Sequence, residues 1–323
     1  MKAVQIQSYG DPLSVLEIAD IPEPKPPGPN EALLGIELVP LNKHDLLFIS
    51  NALGAGPALP TIIGNEGFGR VLAVGSEVKN VKVGDRVLAP VLTRTWREKM
   101  IVPASSLFPL PGGDPEQFSM LGSNPPTAAL ILSEFTRLKK GDWVVQNSAN
   151  SGVGRSLIAI AKARGLRTIN FVRRGELINE LKAAGGDVVL IDQPGAVEEA
   201  LRFVGDGAVR LGVDGVGGQS TTTLAQVLSA EGVLVAYAAI SGTSLAINTK
   251  ELIFKQLKVQ GFFLGHFDYE KKVLPAAREA APLVASGALY VPVAAIYPIS
   301  RIKEAVTHLL RGGKILLEVQ KLN

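Results

Sequence analysis

The sequence predicts an α/β protein with a doubly wound parallel sheet in its centre and a mainly β domain built from its two flanks. Three observations predict this. Short β-like segments separated by turns fill roughly residues 1–115, apolar strands alternate with single helices from Asp142 onward, and the strands after Leu264 lack helical partners on both sides. Strands that are apolar throughout and joined by single helices fit a parallel sheet covered on both faces.

The flanking strands come first. Ala3 to Gln7, Glu31 to Leu38, Gly67 to Val74, Arg86 to Pro90 and Lys99 to Val102 are punctuated by the Pro-rich run 22–29 and by the turns Val74-Gly75-Ser76 and Val83-Gly84-Asp85. That spacing suggests a β barrel or sandwich. Helical periodicity begins near Pro115. The alternation then runs Trp143 to Gln146, a helix over 152–165, Arg167 to Val172, a helix over 175–184, Val188 to Ile191, a helix over 195–203, Leu211 to Val216, a helix over 220–228, Gly232 to Tyr237 and Val259 to Leu264. Beyond it lie a helix over 274–286, a strand over 291–297, a helix over 302–311 and a closing strand over 314–320. These last strands are expected to return to the first domain, so the expected division is 1–118 with 266–323 against 119–265.

Composition narrows the function classes. With 323 residues, 46% apolar and 20% charged, plus 34 Gly and 21 Pro, the chain reads as an ordinary globular protein rich in tight turns. No apolar run reaches the roughly 18 to 20 residues of a spanning helix, and the chain starts directly on a strand-like segment, so no membrane association and a cytoplasmic address are expected. The absence of Cys removes disulfides, thiolate nucleophiles and Cys-based zinc sites. With only His44, His266 and His308 besides, no metal site is expected. A net charge of +3, with basic residues only in short pairs, argues against nucleic acid and for a small-molecule substrate.

The segment 145–155, Val-Gln-Asn-Ser-Ala-Asn-Ser-Gly-Val-Gly-Arg, follows an apolar strand and opens a helix. A helix N-terminus offers free N–H donors and a positive dipole end, and small residues let the backbone approach a pyrophosphate. Asn150, Ser151, Gly152, Val153 and Gly154 are therefore candidate cofactor contacts. The next strand ends in Arg173 and Arg174 where an NAD site would carry a carboxylate. Two arginines there predict NADPH, held at its 2′-phosphate.

These residues resemble the medium-chain dehydrogenase/reductase superfamily over essentially the whole chain. The landmarks are the turns at 74–78 and 83–87, the 149–154 loop, Val213-Asp214-Gly215-Val216-Gly217-Gly218 and the closing Gly313-Lys314-Ile315-Leu316-Leu317-Glu318-Val319. The resemblance implies a Rossmann domain inserted in a GroES-like (chaperonin-10-like) β-barrel, and a homodimer joined at the sheet edge near Val233 to Ile247. Zinc members carry Gly-His-Glu where this chain has Gly64-Asn65-Glu66, so the likeness is to zinc-free reductases. Gly64-Asn65-Glu66-Gly67, Gly122-Ser123-Asn124-Pro125-Pro126-Thr127-Ala128, the 146–154 loop, Leu166-Arg167-Thr168-Ile169-Asn170 and Gly261-Phe262-Phe263 are similar to trans-2-enoyl thioester reductases of the mitochondrial type. The resemblance implies cofactor contacts for Asn124, Thr127 and Phe263, and places Tyr237 near the nicotinamide ribose. It marks Asn42 and Asn65 as residues that could polarise a substrate carbonyl.

That family places a catalytic Tyr where this chain reads Asn51-Ala52-Leu53-Gly54, and no Tyr occurs between residues 10 and 236. A phenol can donate a proton as hydride arrives, whereas Ala52 and Leu53 cannot. Three readings follow: reduction of an enoyl thioester or similar conjugated carbonyl, reduction of quinones or small enals, which needs no protein acid, and NADPH binding without catalysis.

Overall fold

The computed structural model describes residues 1–323 apart from Leu53, Ala55, Ala239 and Asn323. In chain order its strands begin with β1 (Lys2–Ile6), β2 (Leu16–Asp20), β3 (Glu31–Leu41), β4 (Thr61–Ile62), β5 (Gly67–Val74), β6 (Arg86–Ala89) and β7 (Lys99–Pro103). Next come β8 (Trp143–Gln146), β9 (Arg167–Val172), β10 (Val188–Ile191), β11 (Val209–Asp214), β12 (Val233–Ala236) and β13 (Lys258–Gly261), then β14 (Val293–Pro298) and β15 (Lys314–Glu318). The chain divides into two compact units. One comprises Met1–Ser123, Asp268–Ala285 and Val291–Asn323; the other comprises Asn124–Phe267 and Ser286–Tyr290. The sequence reading put the breaks at 118/119 and 265/266 and left 286–290 with the flanks.

The flanking unit is β-rich. One sheet runs β14-β15-β3-β5-β6, with β7 pairing β3, and a second has the order β2-β1-β4. Strand β15 lies antiparallel to β3, with Ile315 opposite Leu41 and Glu318 opposite Leu38. The C-terminal strands thus belong to this unit's sheet. Its core gathers Val4, Ile6, Leu34 and Ile36 from alternating strand positions, with Val39, Met100 and Ile315 from their strands and Trp96 from the loop before β7. The helix Ile302–Arg311 closes it, burying Ile302, Ala305, Val306 and Leu309 at the spacing of one helical face.

The central unit holds six parallel strands in the order β10-β9-β8-β11-β12-β13. After β8 the chain winds outward through β9 and β10, then returns to lay β11 on the other side of β8. The loop after β8 therefore stands at the topological switch point, where open α/β sheets bind ligands. The helix Asn124–Glu134 buries Pro125 through Leu132 and packs on the helix Gly152–Ala163. One expectation fails at the margin: β13 is not a buried apolar strand. It reads Lys-Val-Gln-Gly, is exposed throughout and forms the sheet's edge, whereas Val233–Ala236 lies inside the sheet. Sequence reading also missed β2, β4 and the helices Lys43–Ile49 and Thr249–Phe254, which are too short to show a period.

Candidate functional site

Two clusters of functional side chains form, one in each unit. In the central unit, the turn after β8 is tied down before the helix begins. The buried Asn147 amide donates to Asp214 Oδ1 at 2.7 Å and to Ser220 Oγ at 3.1 Å, and its Oδ1 accepts the Gly215 N–H at 2.8 Å. Asp214 Oδ1 also accepts the N–H groups of Val216 and Gly217. These bonds join the ends of β8 and β11, the two strands flanking the switch point. Ser151 caps the helix Gly152–Ala163, its Oγ accepting the Gly154 N–H at 3.1 Å.

The glycines of the turn have stated reasons. A Cβ on Gly154 would lie 2.5 Å from the Ala149 carbonyl oxygen, and one on Gly152 would lie 2.6 Å from Asn124 Nδ2. That Asn124 nitrogen is buried without a hydrogen-bond partner. An unsatisfied buried donor beside the start of a helix is what an anionic or carbonyl-bearing cofactor would complete. The residues present therefore fit a dinucleotide. Tyr237, after β12, packs its hydroxyl over Gly215 and stands beside the Ser151 hydroxyl; burial pushes its phenol up to about 12. It stays protonated through the neutral range.

The remaining sequence candidates are less closely gathered. Asn150 is exposed on the loop, with its carbonyl held by Arg155 Nε at 3.1 Å, and Val153 and Thr127 are buried in their helices. Arg173 and Arg174 are exposed just after β9, and Arg174 meets Glu176 at 3.4 Å. Phe263 is half-exposed after β13 and meets His266 edge to face.

In the flanking unit, the segment 64–67 is pinned by a neighbouring run of chain. Gly64 has φ +106°, and a Cβ there would strike the Trp96 ring and backbone, so the segment needs glycine at that position. The Thr95 hydroxyl donates to the Glu66 carbonyl at 2.7 Å and the Thr95 N–H to the Gly64 carbonyl at 3.0 Å. Glu66 is thereby fixed at 0% exposure. Its Oε1 accepts Asn42 Nδ2 at 2.7 Å and its Oε2 the Ser123 N–H at 2.8 Å. Lys314 Nζ, at the start of β15, donates to Asn42 Oδ1 at 2.6 Å. Asp45, on the helix Lys43–Ile49, accepts the Asn42 N–H at 2.7 Å and Asn65 Nδ2 at 2.5 Å, with His44 Nε2 3.7 Å away.

Buried charges of both signs shift one another. Burial pushes the Glu66 carboxyl up to about 7, against the pull of the Lys314 charge and the Asn42 bond. Burial likewise raises Asp45 and lowers Lys314. Asn42 and Asn65, both expected from the sequence, thus meet through Asp45. Glu66, Asp45 and Lys314 were not singled out, although Glu66 and Lys314 sit inside quoted landmarks; a sequence does not reveal which of its charges are buried together. Sequence reading also passed over Tyr9. Its hydroxyl donates to the Pro57 carbonyl, bringing a phenol to the loop where the family's tyrosine is missing. Leu53 lies outside the described residues; Ala52 lies in the turn that follows the helix Lys43–Ile49.

The family model "Alcohol dehydrogenase GroES-like domain" matches residues 28–112, and the model "Zinc-binding dehydrogenase" matches 152–279. The chain is 34% identical over 284 residues to the mitochondrial enoyl-[acyl-carrier-protein] reductase of Dictyostelium discoideum, covering 84% of this chain and 81% of that one. The human mitochondrial enoyl-[acyl-carrier-protein] reductase is 35% identical over 274 residues, covering 83% of this chain and 73% of its own length. Among solved structures, the Escherichia coli quinone oxidoreductase complexed with NADPH superposes with a TM-score of 0.84 at 26% identity, covering 99% of this chain and all of that one. The zinc in the second model's description finds no matching donors: the chain has no Cys, no group of three or more His, Asp or Glu among the described residues could hold a metal ion, and the Asn65 nitrogen is spent as a donor to Asp45. This donor set does not fit a zinc ion.

Proposed function

Because the chain belongs to the medium-chain dehydrogenase/reductase superfamily, beside the mitochondrial enoyl-[acyl-carrier-protein] reductases, we propose that it is a zinc-independent NADPH-dependent reductase of conjugated carbonyls, with 2-enoyl thioesters as its first substrate class. The observation that carries the reading is the glycine turn at the switch point, with the unpartnered Asn124 amide beside it. Asn124, the Ser151-capped helix end and Tyr237 hold the dinucleotide, and Thr127, Val153 and Phe263 complete its walls. When bound, the cofactor supplies hydride from C4 of its nicotinamide. In the flanking unit, Asn42 donates to the acceptor carbonyl and takes up part of the charge that grows there as hydride adds to the β-carbon. Asn65 orients Asp45 in support. The α-carbon then takes its proton from water, because the Tyr9 phenol is committed to Pro57.

A quinone or small enal is the second substrate reading, favoured by the absence of tyrosine from 51–54. Following NADPH oxidation with a crotonyl thioester, a quinone and an enal separates the two, and no oxidation with any of them defeats the reductase reading.

Arg173 and Arg174 set the preference for NADPH by pairing with the 2′-phosphate. Both are exposed and Glu176 competes for Arg174, so the gain is that of a screened surface pair. Replacing both with Ala should weaken NADPH binding about tenfold, leaving NADH unchanged in a fluorescence titration. Equal wild-type affinity for the two cofactors would remove the argument.

The working form is a homodimer joined along β13. The edge strand is exposed, and on the preceding helix Ile253 is 60% and Phe254 80% exposed, an apolar surface that a second copy of the edge would cover. Phe254→Asp should convert a dimer to a monomer in light scattering; a monomeric wild type would refute it. No helix among the described residues is long and apolar enough to cross a membrane. The cytoplasmic address expected from the sequence remains our reading, and cell fractionation distinguishes it from the mitochondrial address in the relatives' names.

A further inference from the structure

The β3–β15 register has a chemical result. Ile315 pairs with Leu41 in an antiparallel ladder, so the preceding residue of β15 and the following residue after β3 face each other. These are Lys314 and Asn42, and their side chains meet at 2.6 Å although they are 272 positions apart in the chain. We propose that Lys314 is a positioning residue for carbonyl reduction: its ammonium group, acting through Asn42 and Glu66, orients and polarises the amide that meets the acceptor.

The amide's two ends are occupied by opposite charges. Lys314 donates to Oδ1, and Nδ2 donates to the buried Glu66 carboxylate. An Asn amide free to flip could present either its oxygen or its nitrogen to a ligand, and only the nitrogen can donate to a carbonyl. Exchanging Oδ1 and Nδ2 here would set a donor against Lys314 and an acceptor against Glu66, so a single orientation survives. Nδ2 has two hydrogens, and one of them has no acceptor among the described residues. That is the donor left for an acceptor carbonyl. Glu66 Oε1 and Oε2 both accept N–H bonds, from Asn42 and Ser123, an arrangement suited to the ionised carboxylate. The groups that face Glu66 are Lys314 from β15 and Asp45 from the helix Lys43–Ile49, with His44 behind Asp45. Lys314 is the cation that offsets Glu66 and, after His44, Asp45; its loss would leave Glu66 beside Asp45 without it, which favours protonation of Glu66 and withdraws the charge that holds the amide.

The proposal rests on the reductase reading, so its test includes a measurement independent of turnover. The probe is pH-difference infrared spectroscopy on the full chain, with the carboxyl band assigned by its loss in Glu66→Gln. In the wild type this band should titrate near neutrality, since burial raises the Glu66 carboxyl to about 7 against the pull of Lys314. In Lys314→Met it should titrate at distinctly higher pH, and in Lys314→Arg it should return close to the wild-type position. In turnover, kcat of the wild type should rise with pH as Glu66 ionises, Lys314→Met should lower kcat more than tenfold at neutral pH with its rise displaced to alkaline pH, and the KM for NADPH should stay within a few-fold. An unmoved carboxyl band in a folded Lys314→Met protein, or a loss of kcat equal at every pH, overturns the proposal. If the wild type turns over no acceptor while the band moves as stated, the reductase reading fails and the Lys314–Glu66 linkage stands.

Discussion

Asn42→Ala lowers kcat for the preferred acceptor by about 10²-fold or more, the usual effect of removing one preorganised donor to a developing oxyanion. The site gives two reasons for an effect this large. The amide is locked by Lys314 and Glu66, so no reorganisation is needed when the carbonyl arrives. Its removal also strands a buried carboxylate and an ammonium group that had been joined through it, at a stability cost of about 1–3 kcal/mol. Thermal unfolding measured beside steady-state kinetics separates these effects, because the variant remains folded at assay temperature while kcat falls. NADPH affinity should change little, since Asn42 is not among the residues proposed to hold the dinucleotide, Asn124, the Ser151-capped turn and Tyr237. Turnover within threefold of wild type would show that the polarising group is another one.

Gly154→Ala weakens NADPH binding about tenfold to hundredfold. The added methyl would meet the Ala149 oxygen at 2.5 Å and the Ala149 carbonyl carbon at 2.7 Å, which are backbone atoms that cannot rotate aside. Overpacking of this kind costs about 1–3 kcal/mol, relieved by displacing the turn. That displacement pulls the Gly154 N–H off Ser151 and misaligns the helix end that receives the pyrophosphate. A titration following cofactor fluorescence reads the loss, and circular dichroism should show the fold retained. Unchanged affinity would mean that the turn is not the phosphate site.

The central sheet was legible because its strands announce themselves twice, by apolar β-branched runs such as Trp143–Gln146 and by the helices that separate them. The glycine turn was legible for a related reason: its requirement is local, imposed by a strand, a turn and a helix end within ten or so residues. The edge strand β13 carries Lys and Gln, so composition placed it less well and the dimer edge was expected near Val233 to Ile247, of which Val233–Ala236 lies inside the sheet. The polar network of the flanking unit was half legible. Asn42 and Asn65 stood out as amides in likely-looking motifs of a known family, but Glu66 and Lys314 are ordinary charges until a strand register places them face to face. Tyr9 escaped because its contact with Pro57 spans 48 positions. Local spacing records local chemistry; a contact between distant segments is recorded only in the pairing of strands.

The pairing of β3 with β15 also has an order in time. Asn42, Asp45 and Glu66 are all synthesised well over two hundred residues before Lys314. At roughly 5–20 residues per second, a nascent chain carries the two carboxylates for tens of seconds without their compensating cation. The central unit, whose residues 124–267 and 286–290 all precede Lys314, is complete in the nascent chain only about 1–5 s before that cation is added. A released chain truncated before residue 314 should therefore still hold the cofactor yet be slow to use it. Of the charges in this network, the cation at the start of β15 is the last to be made.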